Sequence, residues 1–407
     1  MGFKEFIGLD VEYFVRNGFW VIASFVIANF SAFFVSVILA NMVSKYSFGV
    51  FTFIVSLIGF MGLFLFPGVN LGVVHGSSKG YDKTFIKGVN LKWDAFVKNI
   101  PIIVMGGAIL IYFINPDAFK YFVVGLFFIP LIHCFTPVHN FLVGKKLFNI
   151  DSVFKIIGEL LLLAGLYLVF YFTGSLLLGL IVYFVIKSYP LIEYFFAKRY
   201  VSNDRVEEGF VEYSEKLNFF KILSVGISYV DKFIVTLCLG FASLAVYTII
   251  FSFSKVVTSF FKLIESLLIP KIIFYSVKDF FVKFKKLFFP CLILVLIVNI
   301  IVWFLIPFVI NTFFPSYINY VFLSQLSIIP SVLVLFNSSF KALFVSKKMV
   351  KELNTVNIVK LVSMVVFLPL FILLFGLLGA IIGFGFIQLT IFVYSFFTIK
   401  NYRGVLM

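Results

Sequence analysis

The sequence predicts an all-α fold, a polytopic membrane protein of twelve transmembrane helices in two six-helix lobes. Three observations predict it. The 407 residues are 62% hydrophobic and 13% charged, against about 25% charged in soluble domains. Long apolar runs recur along the whole chain, and about 20 apolar residues suffice to cross a bilayer. Basic residues collect in alternate connectors, as the positive-inside rule requires of a many-span protein.

The spans are expected at roughly 17–41, 48–74, 99–114, 118–143, 154–172 and 176–197, then 217–241, 243–270, 288–310, 318–345, 355–375 and 377–399. Residues 1–197 form the N-terminal lobe, 198–216 a polar cytoplasmic linker, and 217–407 the C-terminal lobe. The longest connectors, 75–98 and 198–216, are too short for a folded soluble domain. The acidic N-terminus, with Glu5, Asp10 and Glu12, lacks the basic region of a cleaved signal, so the first span is expected to be retained.

Of the 33 basic residues, 27 fall in one set of loops and ends, including Lys79, Lys92, Lys145, Lys155 and Lys347. Only Lys45 and Lys120 fall on the other side. Both termini are therefore expected in the cytoplasm, with an even number of crossings in a cell membrane. The net charge of +15 belongs to this topology and not to nucleic-acid binding.

The halves echo one another. Residues 47–56 (SFGVFTFIVS) and 243–252 (SLAVYTIIFS) agree at five of ten positions. Each opens the span after a short external turn, so the lobes share one orientation about an axis along the membrane normal.

Spans seven and eight carry charges that lipid would penalise. Asp231 and Lys232 lie inside the seventh, and Lys255, Lys262 and Glu265 inside the eighth. A central Asp or Lys costs about 2.5–3.5 kcal/mol on insertion scales. Ser252, Lys255, Ser259, Lys262 and Ser266 recur at steps of three and four, one face of a helix. A cationic stripe on a greasy helix points to a hydrated cavity receptive to an anion. The plainer alternative pairs Lys262 with Glu265 near the cytoplasmic end and lets Lys255 snorkel. Asn29 and Ser36 of the first span are candidates for the opposite wall. His133, Thr136 and Asn140 either line the lumen or satisfy carbonyls freed by Pro130 and Pro137. Glu159 is expected to pair locally with Lys155. Gly379 and Gly383 permit close helix contact, and Pro190, Pro330 and Pro369 are candidate hinges.

At this point the sequence resembles the Wzx-like polysaccharide flippases of the multidrug/oligosaccharidyl-lipid/polysaccharide exporter superfamily. In the first half the resemblance rests on Lys45–Phe51 (KYSFGVF) and Phe66–Gly72 (FPGVNLG). In the second it rests on Tyr229–Val235 (YVDKFIV), Leu239-Gly240, Val246-Tyr247 and Pro270-Lys271. His75 departs from the pattern, since relatives often carry an arginine after the Gly-rich segment, and no phosphate role is assigned to it.

The resemblance implies a MATE-like fold that moves a polyprenyl-(pyro)phosphate-linked oligosaccharide from the inner to the outer leaflet by alternating access. Lys255 and Lys262 would then meet phosphate oxygens as point charges, with Ser252, Ser259 and Ser266 donating hydrogen bonds. Asp231 would offset Lys232 or take part in coupling to a proton or sodium ion. No other cofactor and no metal is expected. The expected partners are the lipid-linked oligosaccharide, membrane lipids and glycan-assembly proteins, with no nucleic acid.

Two other functions share parts of this pattern. An ion-coupled drug or metabolite antiporter would share the fold, but a lysine stripe suits anions better than cationic drugs. An integral-membrane glycan polymerase or glycosyltransferase would need a carboxylate constellation at one membrane face. The external loops hold one acid, Asp117, and the acids at 204–215 sit in one linker. No P-loop is present, Cys134, Cys238 and Cys291 form no CxxC motif, and the three histidines have no zinc spacing. The chain is not expected to be an enzyme.

Overall fold

A computed structural model describes the backbone of residues 11–272, 277–347 and 349–405, and the side-chain surroundings of 18–259, 289–290, 292–347 and 349–400. Nearly everything described is helical, and no strand occurs among these residues. Backbone N–H and C=O groups in hydrocarbon must be satisfied within the protein, which leaves helices or closed barrels.

In chain order the helices are α1 (Val11–Met42), α2 (Lys45–Met61), α3 (Val69–Ser78), α4 (Lys83–Ile114), α5 (Phe119–His133) and α6 (Pro137–Gly144). They continue with α7 (Phe148–Thr173), α8 (Leu176–Lys187), α9 (Pro190–Ala197), α10 (Phe210–Ile272) and α11 (Val277–Phe313). The last are α12 (Val321–Ser327), α13 (Ser331–Ser346) and α14 (Val350–Val405).

Among the described residues, nine segments are long and apolar enough to cross a membrane, or ten when the bent pair Pro315–Ser327 and Ser331–Ser346 counts as one. Two of these segments are themselves two helices. In α10 the chain turns at Gly240 (φ 80°), and in α14 at Gly376 (φ 58°). Only glycine adopts these angles without strain. With each split in two, the pattern is consistent with twelve crossings.

Prolines mark other breaks. Pro137 starts α6 and Pro190 starts α9, positions where the missing N–H costs little. Pro330 precedes α13, at a bend of 44°. Pro369 behaves otherwise than expected of an interruption, because it sits inside the first arm of α14 without breaking it.

The chain divides into two compact units, residues 1–43 with 54–222, and residues 44–53 with 223–407. In the first, α1 lies along α7, α7 along α8, and α3 against α4 and α6. Its basic-loop end is closed by Val69, Val73, Phe85, Phe141 and Phe210, with the rings of Phe85 and Phe141 stacked at 4.6 Å. In the second, α13 packs on α14, and Val257, Val295 and Leu335 form a small core.

The start of α2 belongs to the second unit and presses on α10. Phe53 meets Phe233 and Phe241 edge to face, with ring centroids at 5.7 and 5.5 Å. Gly49 lies so close to the Phe241 backbone that a methyl group there would collide with its carbonyl. A backbone neighbour cannot rotate away. Gly379 is equally close to the Phe371 carbonyl across the Gly376 turn, the close contact expected of that glycine pair.

Gly49→Ala is therefore expected to lower thermal stability in detergent by about 1–3 kcal/mol, the usual cost of overpacking. Gly106→Ala, with no atom within 4 Å of the added carbon, should be neutral or stabilising by up to about 1 kcal/mol. Melting curves of the two purified variants check both.

Candidate functional site

The turn at Gly240 folds the two arms of α10 beside each other and gathers the charges of the second unit. The phenol of Tyr247 donates to Asp231 Oδ2 at 2.8 Å. The other carboxylate oxygen, Oδ1, is buried and has no hydrogen-bond partner among the described residues. Lys232 feels both Lys255 and Asp231 electrostatically, and its ammonium lies 5.9 Å from the Tyr229 ring centroid. Two lysines and one carboxylate thus share one neighbourhood, and the carboxylate takes its hydrogen bond from Tyr247.

Lys255 is exposed, like its neighbour Val256, whereas Ser254 and Val257 are buried. Ser252 and Ser259 are half-buried. The Ser252 hydroxyl returns to the Ile249 carbonyl at 2.7 Å, as intrahelical serines commonly do. The side chains of Lys262, Glu265 and Ser266 lie outside the described residues. Asn29 belongs to the first unit, where it is exposed and donates to the Phe25 carbonyl at 2.7 Å. Of the expected site, Asp231, Lys232 and Lys255 are brought together.

The first unit holds polar groups that sequence spacing assigned differently. Lys155 does not pair with Glu159. It donates to Asp151 Oδ2 at 2.8 Å, one turn earlier, and approaches His139 Nδ1 at 3.0 Å. Glu159 instead accepts from Lys187 and from the Ser31 hydroxyl, the latter at 2.7 Å. The packing of α1 and α8 on α7 decides this, because it sets groups far apart in sequence opposite Glu159.

Lys92 is a second correction. Expected in a basic loop, it lies in α4 and is 3% exposed. Its ammonium donates to Thr136 Oγ1 at 2.9 Å and to the His133 carbonyl at 3.3 Å. That carbonyl is the one Pro137 leaves without its helical N–H. Thr136 also donates to it at 2.9 Å, and Asn140 donates to the Thr136 carbonyl at 3.0 Å. Lys92 and Thr136 thus repair the break at Pro137, the second of the two readings left open for Thr136, while Asn140 bonds back onto its own helix.

The 198–216 connector is not a free linker, for helix resumes at Phe210 and the residues before it are strapped to α3 and α4. Asp82, wholly buried, accepts from the Ser202 backbone at 2.8 Å and its hydroxyl at 2.6 Å, and pairs with Lys145 at 2.6 Å. Glu207 pairs with His75 and Lys79, both at 2.9 Å. His75, which departs from the resemblance, thus serves the strap. Burial pushes both carboxyls up, but the donors facing them outweigh it. Asp82 is held below its usual value by Lys145 and Ser202, and Glu207 by Lys79 and His75.

A carboxyl held low in the folded state stabilises it fully above the ordinary carboxyl range and loses that contribution as pH falls through the lowered value. Backbone amides of 201–209 should keep constant hydrogen-exchange protection down to about pH 4 and lose it below. In a separate test, Lys187→Met should destabilise the first unit, though by less than the roughly 3–5 kcal/mol of a fully buried pair. Adding Glu159→Leu should recover part of that loss in a thermal melt, since no carboxylate is then stranded.

With this geometry in hand, comparison with known proteins gives a consistent answer at the level of fold. No protein-family model and no curated protein matches the chain. Solved structures do. A multidrug resistance MATE family transporter of the MOP superfamily, inward-facing, aligns with a TM-score of 0.71 at 13% identity, over 92% of this chain and 95% of that one. The lipid II flippase MurJ, in an inward closed conformation, aligns at 0.67 and 14%, over 95% and 87%. The eukaryotic MATE transporter AtDTX14 aligns at 0.64 and 16%, over 97% and 100%. At such identities the likeness establishes the fold, which is that of MOP superfamily transporters. These neighbours are transporters and flippases, not enzymes.

Proposed function

We propose that the chain is a flippase that carries a polyprenyl-(pyro)phosphate-linked oligosaccharide from the inner to the outer leaflet of the cell membrane by alternating access. One observation carries this reading. In the second unit, Lys232 and Lys255 share a neighbourhood with the Asp231 carboxylate among the described residues, and Lys255 is exposed. Intramembrane charges are expensive and are kept for partners or substrates. A surplus of ammonium groups suits the phosphates of a lipid-linked sugar, whose tail stays in the bilayer.

Lys255 is the point charge for phosphate oxygens in this reading, with Lys262 about two turns further on and Ser252 and Ser259 as sugar or phosphate donors. Asp231, whose Oδ1 has no partner among the described residues, is the candidate for a coupling proton or sodium ion. Both termini lie in the cytoplasm, following the basic loops. Membrane lipids and glycan-assembly proteins are the remaining partners.

The likeness to MATE transporters supports a second reading, an ion-coupled antiporter of small molecules. The net positive lining argues against cationic drugs as its cargo. The MurJ likeness places a lipid II flippase on the same fold.

Lys255→Ala is expected to abolish glycan export in cells lacking the native gene, at least about tenfold, while the protein stays inserted and abundant. A single charge-assisted contact of about 1.5–3 kcal/mol accounts for that size. Reconstituted in liposomes, the wild type should translocate a fluorescent lipid-linked saccharide and the variant should not. Full export by the variant, or transport of cationic dyes with no lipid-linked saccharide moved, would overturn the assignment.

A further inference from the structure

One buried group of the first unit is left out of its ion pairs. Glu193, in α9, is 1% exposed, and its Oε1 has no hydrogen-bond partner among the described residues. Its carboxyl is within electrostatic reach of Asp151 and Lys155. The charged and titratable groups of this cluster come from α6, α7, the end of α8 and the turn before α9. They are His139 on α6, Asp151, Lys155 and Glu159 on α7, Lys187 at the end of α8, and Tyr189 in the turn before α9. Tyr189 is within reach of all three carboxylates, Glu193, Asp151 and Glu159. Its ring lies over Gly158, where an added carbon would meet it at 3.2 Å.

The charges in this cluster do not balance. Asp151 is engaged by Lys155 and His139, and Glu159 by Lys187. Glu193 then has no cation of its own among the described residues. Three carboxylates face two ammonium groups, so neutrality requires one more proton, on Glu193 or on the imidazole. An isolated carboxylate buried in low dielectric is disfavoured against its neutral form. His139 is placed to respond. Its Nδ1 faces both the Asp151 carboxylate and the Lys155 ammonium, so it donates to the first only when protonated there and accepts from the second only when not. Its side chain is 41% exposed, while Glu193 is sealed.

We infer that Glu193, with the His139–Asp151–Lys155 triad beside it, forms a proton-binding site in the first unit, apart from the lysines of the second. In this inference Glu193 carries the extra proton when the imidazole is neutral, and the half-exposed imidazole is the point at which the cluster meets water. Ionisation of Glu193 requires Lys155 or a protonated His139 to turn toward it, which breaks the Asp151 contacts and so ties the proton to the packing of α6, α7 and α9. This holds whatever the transported substrate is.

Infrared difference spectroscopy on the wild-type protein in lipid vesicles, titrated from about pH 5 to about pH 9, tests it without any transport assay. A protonated carboxyl should give a C=O stretch near neutral pH that is distinct from carboxylate bands and exchanges slowly in deuterated buffer. Glu193→Gln, nearly isosteric with the neutral acid, should remove that one band. If this variant does not fold, Glu193→Asp, which keeps the carboxyl, should move the band without removing it. A wild-type spectrum with no such band, or a band unchanged in both variants, overturns the proposal.

Discussion

A helix may break inside a membrane only where another group takes over the hydrogen bonds that the break frees. The positions of the polar side chains in this protein follow from that constraint. At Pro137 the freed carbonyl of His133 is met by Lys92 and Thr136. At the α2–α3 break, before Pro67, Asn99 donates to the Phe64 carbonyl at 2.7 Å, and Asn218 accepts from the Gly68 amide at 3.1 Å. Each repair uses a residue far away in sequence. Polar residues on apolar helices are therefore as often repairs as they are ligands, and the two roles separate only once partners are known.

The same constraint distinguishes the two sets of buried charges. In the first unit, lysine and carboxylate face each other across helices, as Lys187 and Glu159 do. Burying such pairs contributes little net stability, but stranding one member is costly, so they fix which helices lie together. In the second unit Asp231 is engaged by a neutral phenol, and Lys255 is exposed. Charges retained without mutual compensation need another reason for being there, and function is the usual one.

Much of the fold was legible in the sequence because its signals are local. Apolar runs set the spans, and the expected breaks near 242 and 376 fall at the turns of Gly240 and Gly376. The close contacts at Gly49 and Gly379 agree with motifs chosen from sequence alone. What was not legible depends on which residues face each other across helices. Lys92 reads as a loop lysine because Lys87, Asp94 and Lys98 surround it with charge, and only the start of α4 at Lys83 carries it inside. Glu159 has Lys155 at ideal helical spacing, yet Asp151 has it too, on the other side. Spacing alone cannot decide which acid wins. The partner on α8 decides it. The strap at 201–209 reads as a linker because its residues are polar, and polar residues serve equally well for solvation and for fastening.

The contrast between the units bears on how such a protein can bind an anion without losing its fold. A cationic stripe needs support that does not neutralise it. The hydrogen bond from Tyr247 keeps Asp231 occupied by a neutral donor, so the carboxylate is held in place without an ammonium as its direct partner. Had Asp231 faced Lys255 as Glu159 faces Lys187, the pair would have been locked, and an arriving phosphate would have to break it first. In the proposed role, an exposed Lys255 with Asp231 already engaged by Tyr247 would lower the cost of exchanging water for phosphate at that ammonium. The paired charges of the first unit and the exposed Lys255 of the second are thus complementary uses of one chemistry.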